Sequence, residues 1–182
     1  RNALEQALLK LSERDPRFLL TLNIFSITIR SDIRAGQLCA LDLSRMIWND
    51  DGTSSYLSRV KNRGGGMVRT DFSRRATALL REAIELTAEA RAVCPSDGLQ
   101  NSLYLYRGLR PTDQHMAVMN INRYNEDLAE ACNLAGIEHI SSGNVRDTRQ
   151  TAVARFVRRH NLNDAQKATL TRHANRTSLN SY

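Results

Sequence analysis

The sequence predicts a mixed but mostly helical α+β domain, with a small three-stranded antiparallel sheet packed among helices. Three observations predict it. Apolar residues recur at helical spacing toward both ends of the chain. Between them, "RMIWND", "SSYLSRVK" and "MVRTDF" alternate in the manner of strands, joined by the turn-rich "DDGT" and the glycine-rich "NRGGG". No repeat, low-complexity tract or linker interrupts the 182 residues, so residues 1–182 are read as one domain around one core.

Taken in order, "NALEQALLKLSE" places Leu4, Leu8 and Leu11 on one face of a first helix. In "DPRFLLTLNIFSITIR", Asp15 is the expected N-cap and Pro16 the first residue of a second, mostly buried helix. A third short helix, "IRAGQLCALDL", turns Leu38, Cys39 and Leu41 inward, and the three strands follow. Ser73 is expected to cap a long helix reaching about Cys94, with Ala76, Leu79, Leu80, Ala83 and Ile84 as its apolar stripe and Pro95 as its stop. "SDGLQNSLYLYRGLRPTD" reads as loop around a short extended "SLYLY". "INRYNEDLAEACNLAGI" reads as a helix stopped by Gly136, and "VRDTRQTAVARFVRRH" and "DAQKATLTRH" as two more.

Twenty-six Lys and Arg against 19 Asp and Glu leave a formal charge of +7, with a sequence pI of 9.8. Such a balance biases the chain toward phosphate-rich partners, because neutralising phosphates releases condensed counterions. The chain is 41% hydrophobic with a mean hydropathy of −0.45. It has no run of the roughly 18 apolar residues a membrane helix needs and no signal layout at its start, so the expectation is a cytoplasmic, nucleoid-associated protein without a membrane partner. Cys39, Cys94 and Cys132 lie far apart among apolar neighbours and are expected as reduced core residues. His115, His139, His160 and His173 lack the spacing of metal ligands, so no metal or other cofactor is expected. "NRGGG" lacks the Lys-Ser/Thr ending of a phosphate-binding loop, and no GxSxG elbow is present.

What remains is an ordered set of cations and a terminal tyrosine. Arg34 opens an apolar helix, Lys61 ends the second strand before the glycine turn, and Arg146 and Arg149 stand in "VRDTRQT". His173 precedes Tyr182 by nine residues. This set resembles the catalytic domain of the tyrosine recombinases, or phage integrases, over nearly the whole chain. "RAGQL" is similar to the family's first arginine box, Lys61 and "NRGGG" to its lysine hairpin, "RDTRQT" to its HxxRxT box, and "RHANRTSLNSY" to the histidine and the tyrosine that follows it. "INRYNEDLAEACNLAGIEHISSGN" resembles the helix and "AGI" loop that lead into the second box. The sequence departs from the pattern at Gln37, where an acidic residue is usual, at Arg146, which stands at the box-two histidine position, and at Arg172, where glycine is usual. An alternative register makes Arg146 the box-two arginine with Gly143 in the histidine slot. Arg149 is preferred because it leaves 24 residues to His173 rather than 27, and because it sets Phe156 and Val157 at buried helix positions.

The resemblance implies a site-specific recombinase that cuts and rejoins DNA through a 3′-phosphotyrosyl link, with neither metal nor ATP. Tyr182 would be the nucleophile. Arg34 and Arg149 would hold the phosphate, His173 would bond the phosphate or assist the proton on Tyr182, Lys61 would act as general acid, and Arg146 would touch phosphate. Double-stranded DNA is the implied partner, with Arg63, Arg69, Arg74, Arg75 and Arg123 as candidate phosphate contacts and further copies of the chain assembling on DNA. Type IB topoisomerases carry the same catalytic set, and a catalytically impaired DNA-binding regulator fits the departures at Gln37 and Arg146, so both readings stay open. Family members usually add an N-terminal DNA-clamp domain and a tail after the tyrosine. The sequence is therefore expected to be a catalytic portion lacking both.

Overall fold

A computed structural model of the chain describes residues 2–31, 33–59, 67–95, 97–107 and 116–163. The leucine stripe of the first segment forms α1 (Asn2–Ser12), with Leu4, Leu8 and Leu11 all buried. Asp15 caps the next helix as expected. Its carboxylate accepts from the Arg17 backbone N–H at 2.9 Å, and Pro16 already has helical dihedrals at the entry to α2 (Arg17–Thr28). α2 is the most enclosed helix of the opening, as Phe18, Leu20, Ile24, Phe25 and Ile27 bury on all sides. The third helix, α3 (Ala35–Cys39), is shorter than expected. Asp42 accepts from the Ser44 N–H and begins a single 3₁₀ turn, Leu43–Arg45, that delivers the chain to the sheet.

β1 (Met46–Trp48), β2 (Ser54–Arg59) and β3 (Met67–Phe72) make the expected antiparallel sheet in the order β1-β2-β3. Its register pairs Met46 with Tyr56 and Ser54 with Phe72, four buried residues that turn one face of the sheet to the core. Gly52, at φ +81°, makes the tight turn between β1 and β2. Ser54 Oγ lies 2.9 Å from Thr77 Oγ1 and fastens the sheet to the helix that follows.

That helix is not continuous. Ser73 caps α4 (Arg74–Leu86), but Thr87 ends it and α5 (Ala88–Ala92) follows. Thr87 Oγ1 bonds back to the Ala83 carbonyl at 2.8 Å and receives Arg91 Nη2 at 2.7 Å. A threonine bonding back to the preceding turn bends a helix, and apolar periodicity does not report this. A short α6 (Asp97–Gln100) precedes the extended "SLYLY" segment, which runs between two partners. Ser102 bridges Asp42, and β4 (Leu105–Arg107) pairs antiparallel with β5 (Met116–Val118) in a second, two-stranded sheet that the sequence did not disclose.

α7 (Ile121–Ala135) begins at Asn120, whose side chain accepts from the Arg123 N–H, and ends at Gly136 in the left-handed region, φ +63°. α8 (Ser142–Arg159) starts three residues earlier than "VRDTRQT" suggests. Ser141 and Asn144 cap it reciprocally: Asn144 N–H donates to Ser141 Oγ, and Ser141 N–H donates to Asn144 Oδ1 at 2.9 Å. Phe156, expected to be buried with Val157, is 50% exposed, whereas Val157 is 7% exposed. The expected helix "DAQKATLTRH" lies outside the described residues.

One core, built by α1–α4, α7, the sheet and the first turns of α8, contains most of the buried apolar side chains. An ionic cluster lies within it. Arg17 forks onto Asp127, with Nε to Oδ2 at 3.2 Å and Nη2 to Oδ1 at 3.1 Å, and its Nη1 reaches Asp15 at 2.9 Å. Thr21 Oγ1 donates to Asp127 at 2.7 Å, and Arg123 Nε lies 3.3 Å from the same carboxylate. A second polar joint runs from Tyr104 OH to Asn23 Oδ1 (2.9 Å) and from Asn23 Nδ2 to the Leu79 carbonyl (2.7 Å), joining α2, α4 and the segment before β4.

Removing one partner of such a buried pair leaves the other unpaired, so Asp127→Ala should lower unfolding stability by about 3–5 kcal/mol, read from the midpoint of a urea titration. Cys39, Cys94 and Cys132 are buried free thiols, and burial pushes the Cys39 thiol up from 9.0 to about 12. The folded thiol thus stays protonated where the unfolded one has ionised. Stability is retained below pH 9 and falls as the pH rises through that window, measurable as a drop in Tm between pH 9 and pH 11.

Candidate functional site

Arg34 sits between two buried residues, Ile33 and Ala35, and is itself exposed. Its extended dihedrals (φ −76°, ψ 146°) place it at the N-cap of α3, where the chain turns from the interior into the helix. Its backbone N–H donates to Gln37 Oε1 at 3.1 Å, and its carbonyl accepts from the Gln37 and Leu38 N–H groups. Gln37, a departure from the family's acidic residue, therefore serves the helix start. An oxygen at the third helical position is what the Arg34 N–H needs, and glutamine supplies it as glutamate would. No carboxylate among the described residues forms an ion pair with Arg34.

Arg146 and Arg149 are the fifth and eighth residues of α8, within its second and third turns rather than at its first residue. Val145, 3% exposed, anchors this part of α8 in the main core, and Arg149 follows it by four residues, about one turn on. Gly143, the alternative occupant of the histidine slot, is the second residue of the helix, and a Cβ there would meet Ser141 Oγ at an ordinary 3.4 Å. The exposure of Phe156 removes half of the burial argument for Arg149, leaving Val157 and the interval to His173. Lys61, His173, Tyr182 and Arg63 lie outside the described residues.

α7 links the helices that carry these arginines. It packs against α3, where Gly36 faces Ile121 closely enough that an added Cβ would lie 3.9 Å from the isoleucine side chain. It also packs against α8, where Asn125 Oδ1 accepts from the Ser142 N–H at 3.0 Å. Spacing did not single out Asn125. Its one sequence signal is an asparagine inside an amphipathic helix, where its propensity is poor. The Arg17–Asp127 cluster was also missed, although a lone arginine opening the apolar "FLLTLNIF" run called for a partner.

The candidate phosphate contacts differ in how free they are. Arg74 and Arg75, the first two residues of α4, are exposed and form no ion pair among the described residues. Arg69 pairs with Asp71 at 2.8 Å, both side chains being more than half exposed. Arg123 is engaged twice, with Glu126 at 3.1 Å and with the buried Asp127. Arg81 lies over the Trp48 ring, 5.3 Å from its centroid. No helix among the described residues is long and apolar enough to cross a membrane.

No family model and no curated protein matches this sequence. Solved structures do match its fold. XerH site-specific recombinase bound to difH substrate, in a pre-cleavage complex, aligns over 99% of the chain with a TM-score of 0.64 and 12% identity. The Tn1549 transposon integrase in complex with transposon right end DNA aligns over 100% with a TM-score of 0.60 and 15% identity. XerA recombinase aligns over 96%, with a TM-score of 0.56 and 15% identity. The chain has the tyrosine recombinase catalytic fold. It spans about half the length of these solved chains, 46% of XerH, 56% of XerA and 59% of the Tn1549 integrase.

If Gln37 acts through its oxygen, Gln37→Glu should leave Tm within about a degree of the parent. Gln37→Ala should lower stability by roughly 0.5–1 kcal/mol, as loss of a capping group does, read by thermal unfolding.

Proposed function

We propose that this chain is the catalytic portion of a site-specific DNA recombinase that cleaves and rejoins strands through Tyr182. The observation that carries this reading is a coincidence of two independent things. The order Arg34, Lys61, Arg149, His173, Tyr182 is that of the family's catalytic set, and the chain that bears it has the fold of solved recombinases, two of them in complex with DNA.

The chemistry follows from the residue types. A phosphodiester repels nucleophiles, and attack places further charge on its nonbridging oxygens. Arg34 and Arg149, each a planar fork of donors, stabilise those oxygens, and His173 adds a third donor. Tyr182, with a free pKa of about 10, attacks phosphorus once nearby cations favour its phenolate. The bond to the 5′ oxygen breaks, Lys61 supplies that oxygen with a proton, and a 3′-phosphotyrosyl link remains. Attack by a 5′ hydroxyl of another strand reverses the step and releases Tyr182. The bond energy is kept in the link, so the proposed cycle needs neither ATP nor metal.

Local electrostatics supports placing an anion at α8. Its first turn has no acidic residue, which leaves the positive end of its dipole without a carboxylate, and Arg146 and Arg149 follow in the next two turns. Arg74 and Arg75 would add sequence-independent phosphate contacts, with further copies of the chain assembling on the DNA.

The test is a nicked suicide substrate that traps the covalent intermediate. The parent protein should give an SDS-stable adduct and Tyr182→Phe none, with DNA affinity within about twofold. Arg34→Ala or Arg149→Ala should slow adduct formation by about 10²- to 10³-fold, the usual loss for one preorganised donor. An adduct from the Phe variant would falsify the assignment, and plasmid relaxation without strand exchange would instead indicate a topoisomerase.

A further inference from the structure

α8 must be held at one axial position for Arg149 to meet the same phosphate as Arg34, which sits on a different helix. The caps within α8 fix its shape, not its place. Ser141 and Asn144 satisfy each other, and the Val145 N–H donates to the Ser141 carbonyl. The Ser142 N–H, first in the helix, has no partner within α8 to turn to and is instead taken by Asn125 Oδ1 of α7 at 3.0 Å, 17 residues earlier. Because an N–H can only donate, the asparagine oxygen is the atom that must face it, which settles the orientation of the amide. α7 in turn meets α3 through Ile121 against Gly36 and is fixed to α2 by Asp127.

We propose that Asn125 is a positioning residue for DNA cleavage, setting the start of α8, and with it Arg146 and Arg149, against the α3 helix that carries Arg34. This rests on the recombinase reading. Displacements of about 1 Å from the reacting geometry cost on the order of 10²-fold in rate, so a lost hydrogen bond at the base of the helix is felt at the phosphate. Asn125 itself touches no DNA in this scheme.

The experiment is a double-mutant cycle on the full chain, reading single-turnover adduct formation and DNA Kd. Asn125→Ala should slow adduct formation about tenfold with Kd within about twofold. Asn125→Asp keeps an acceptor oxygen beside a helix N-terminus and should recover the rate to within about threefold. Ser142→Pro deletes the donor at the first helical position, where proline is tolerated, and Ser141 already has the extended backbone that a following proline requires (φ −91°, ψ 168°). In that background Asn125→Ala should cost nothing further. Additive losses, an aspartate variant as slow as alanine, or a loss seen in Kd rather than in rate would overturn the proposal. Hydrogen exchange of the amides of residues 142–145 in the free protein gives a reading that needs no reaction. Exchange should be faster in Asn125→Ala and near parental in Asn125→Asp, and equal exchange in all three overturns the joint itself. A parent protein that forms no adduct refutes the recombinase reading, and the catalytic role of Asn125 with it, while leaving the joint to the exchange measurement.

Discussion

The carboxylate of Asp127 is the point on which the arrangement of helices depends. It lies 1% exposed on α7 and is reached by Arg17 and Thr21 from α2 and by Arg123 from its own helix. An ionised group so buried is costly to desolvate, and a well-packed apolar substitute of the same volume can match it in net stability. What the ionic joint gives is alignment. Apolar faces slide past one another at small cost, whereas a guanidinium fork meets a carboxylate in one geometry. α2 and α7 are thereby set in register, and α3 and α8 pack against both.

The candidate site inherits this order. Arg34 is held by the start of a five-residue helix and Arg149 by the third turn of an eighteen-residue one, so local structure alone does not set one relative to the other. A candidate site whose cations are dispersed in sequence depends on rigid contacts between elements far more than one whose cations share a loop. The basic surface divides accordingly. Arg17, Arg91 and Arg123 are engaged with the protein's own oxygens, while Arg34, Arg74 and Arg75 are exposed. Net charge alone overstates how many arginines are free of the protein's own oxygens.

The three-stranded sheet, the helix stopped at Gly136, the cap at Ser73 and the buried cysteines were legible because each has a local signal: alternation, a glycine beyond the last turn, a serine before the first, or apolar neighbours. The break at Thr87 was not, since its cause is a hydroxyl bonding back and an arginine four residues on. The strand pair β4-β5 was missed because three-residue strands carry almost no periodicity. The early start of α8 was missed because Ser141 and Asn144 cap each other in a segment without apolar residues, and the exposure of Phe156 because burial depends on which neighbours the helix meets.

Arg91 shows how one side chain can order a segment that has little regular structure. Its guanidinium donates to the carbonyls of Gln100, Ser102 and Leu103 and to the Thr87 hydroxyl oxygen, and partial burial draws its pKa down. Those carbonyls belong to the stretch from the end of α6 to β4, while the guanidinium that gathers them stands on α5. The two halves of this contact are about ten residues apart, so closing the loop is entropically cheap. One side chain of α5 thus does for residues 100–103 what a neighbouring strand would do, taking up carbonyls on the approach to β4.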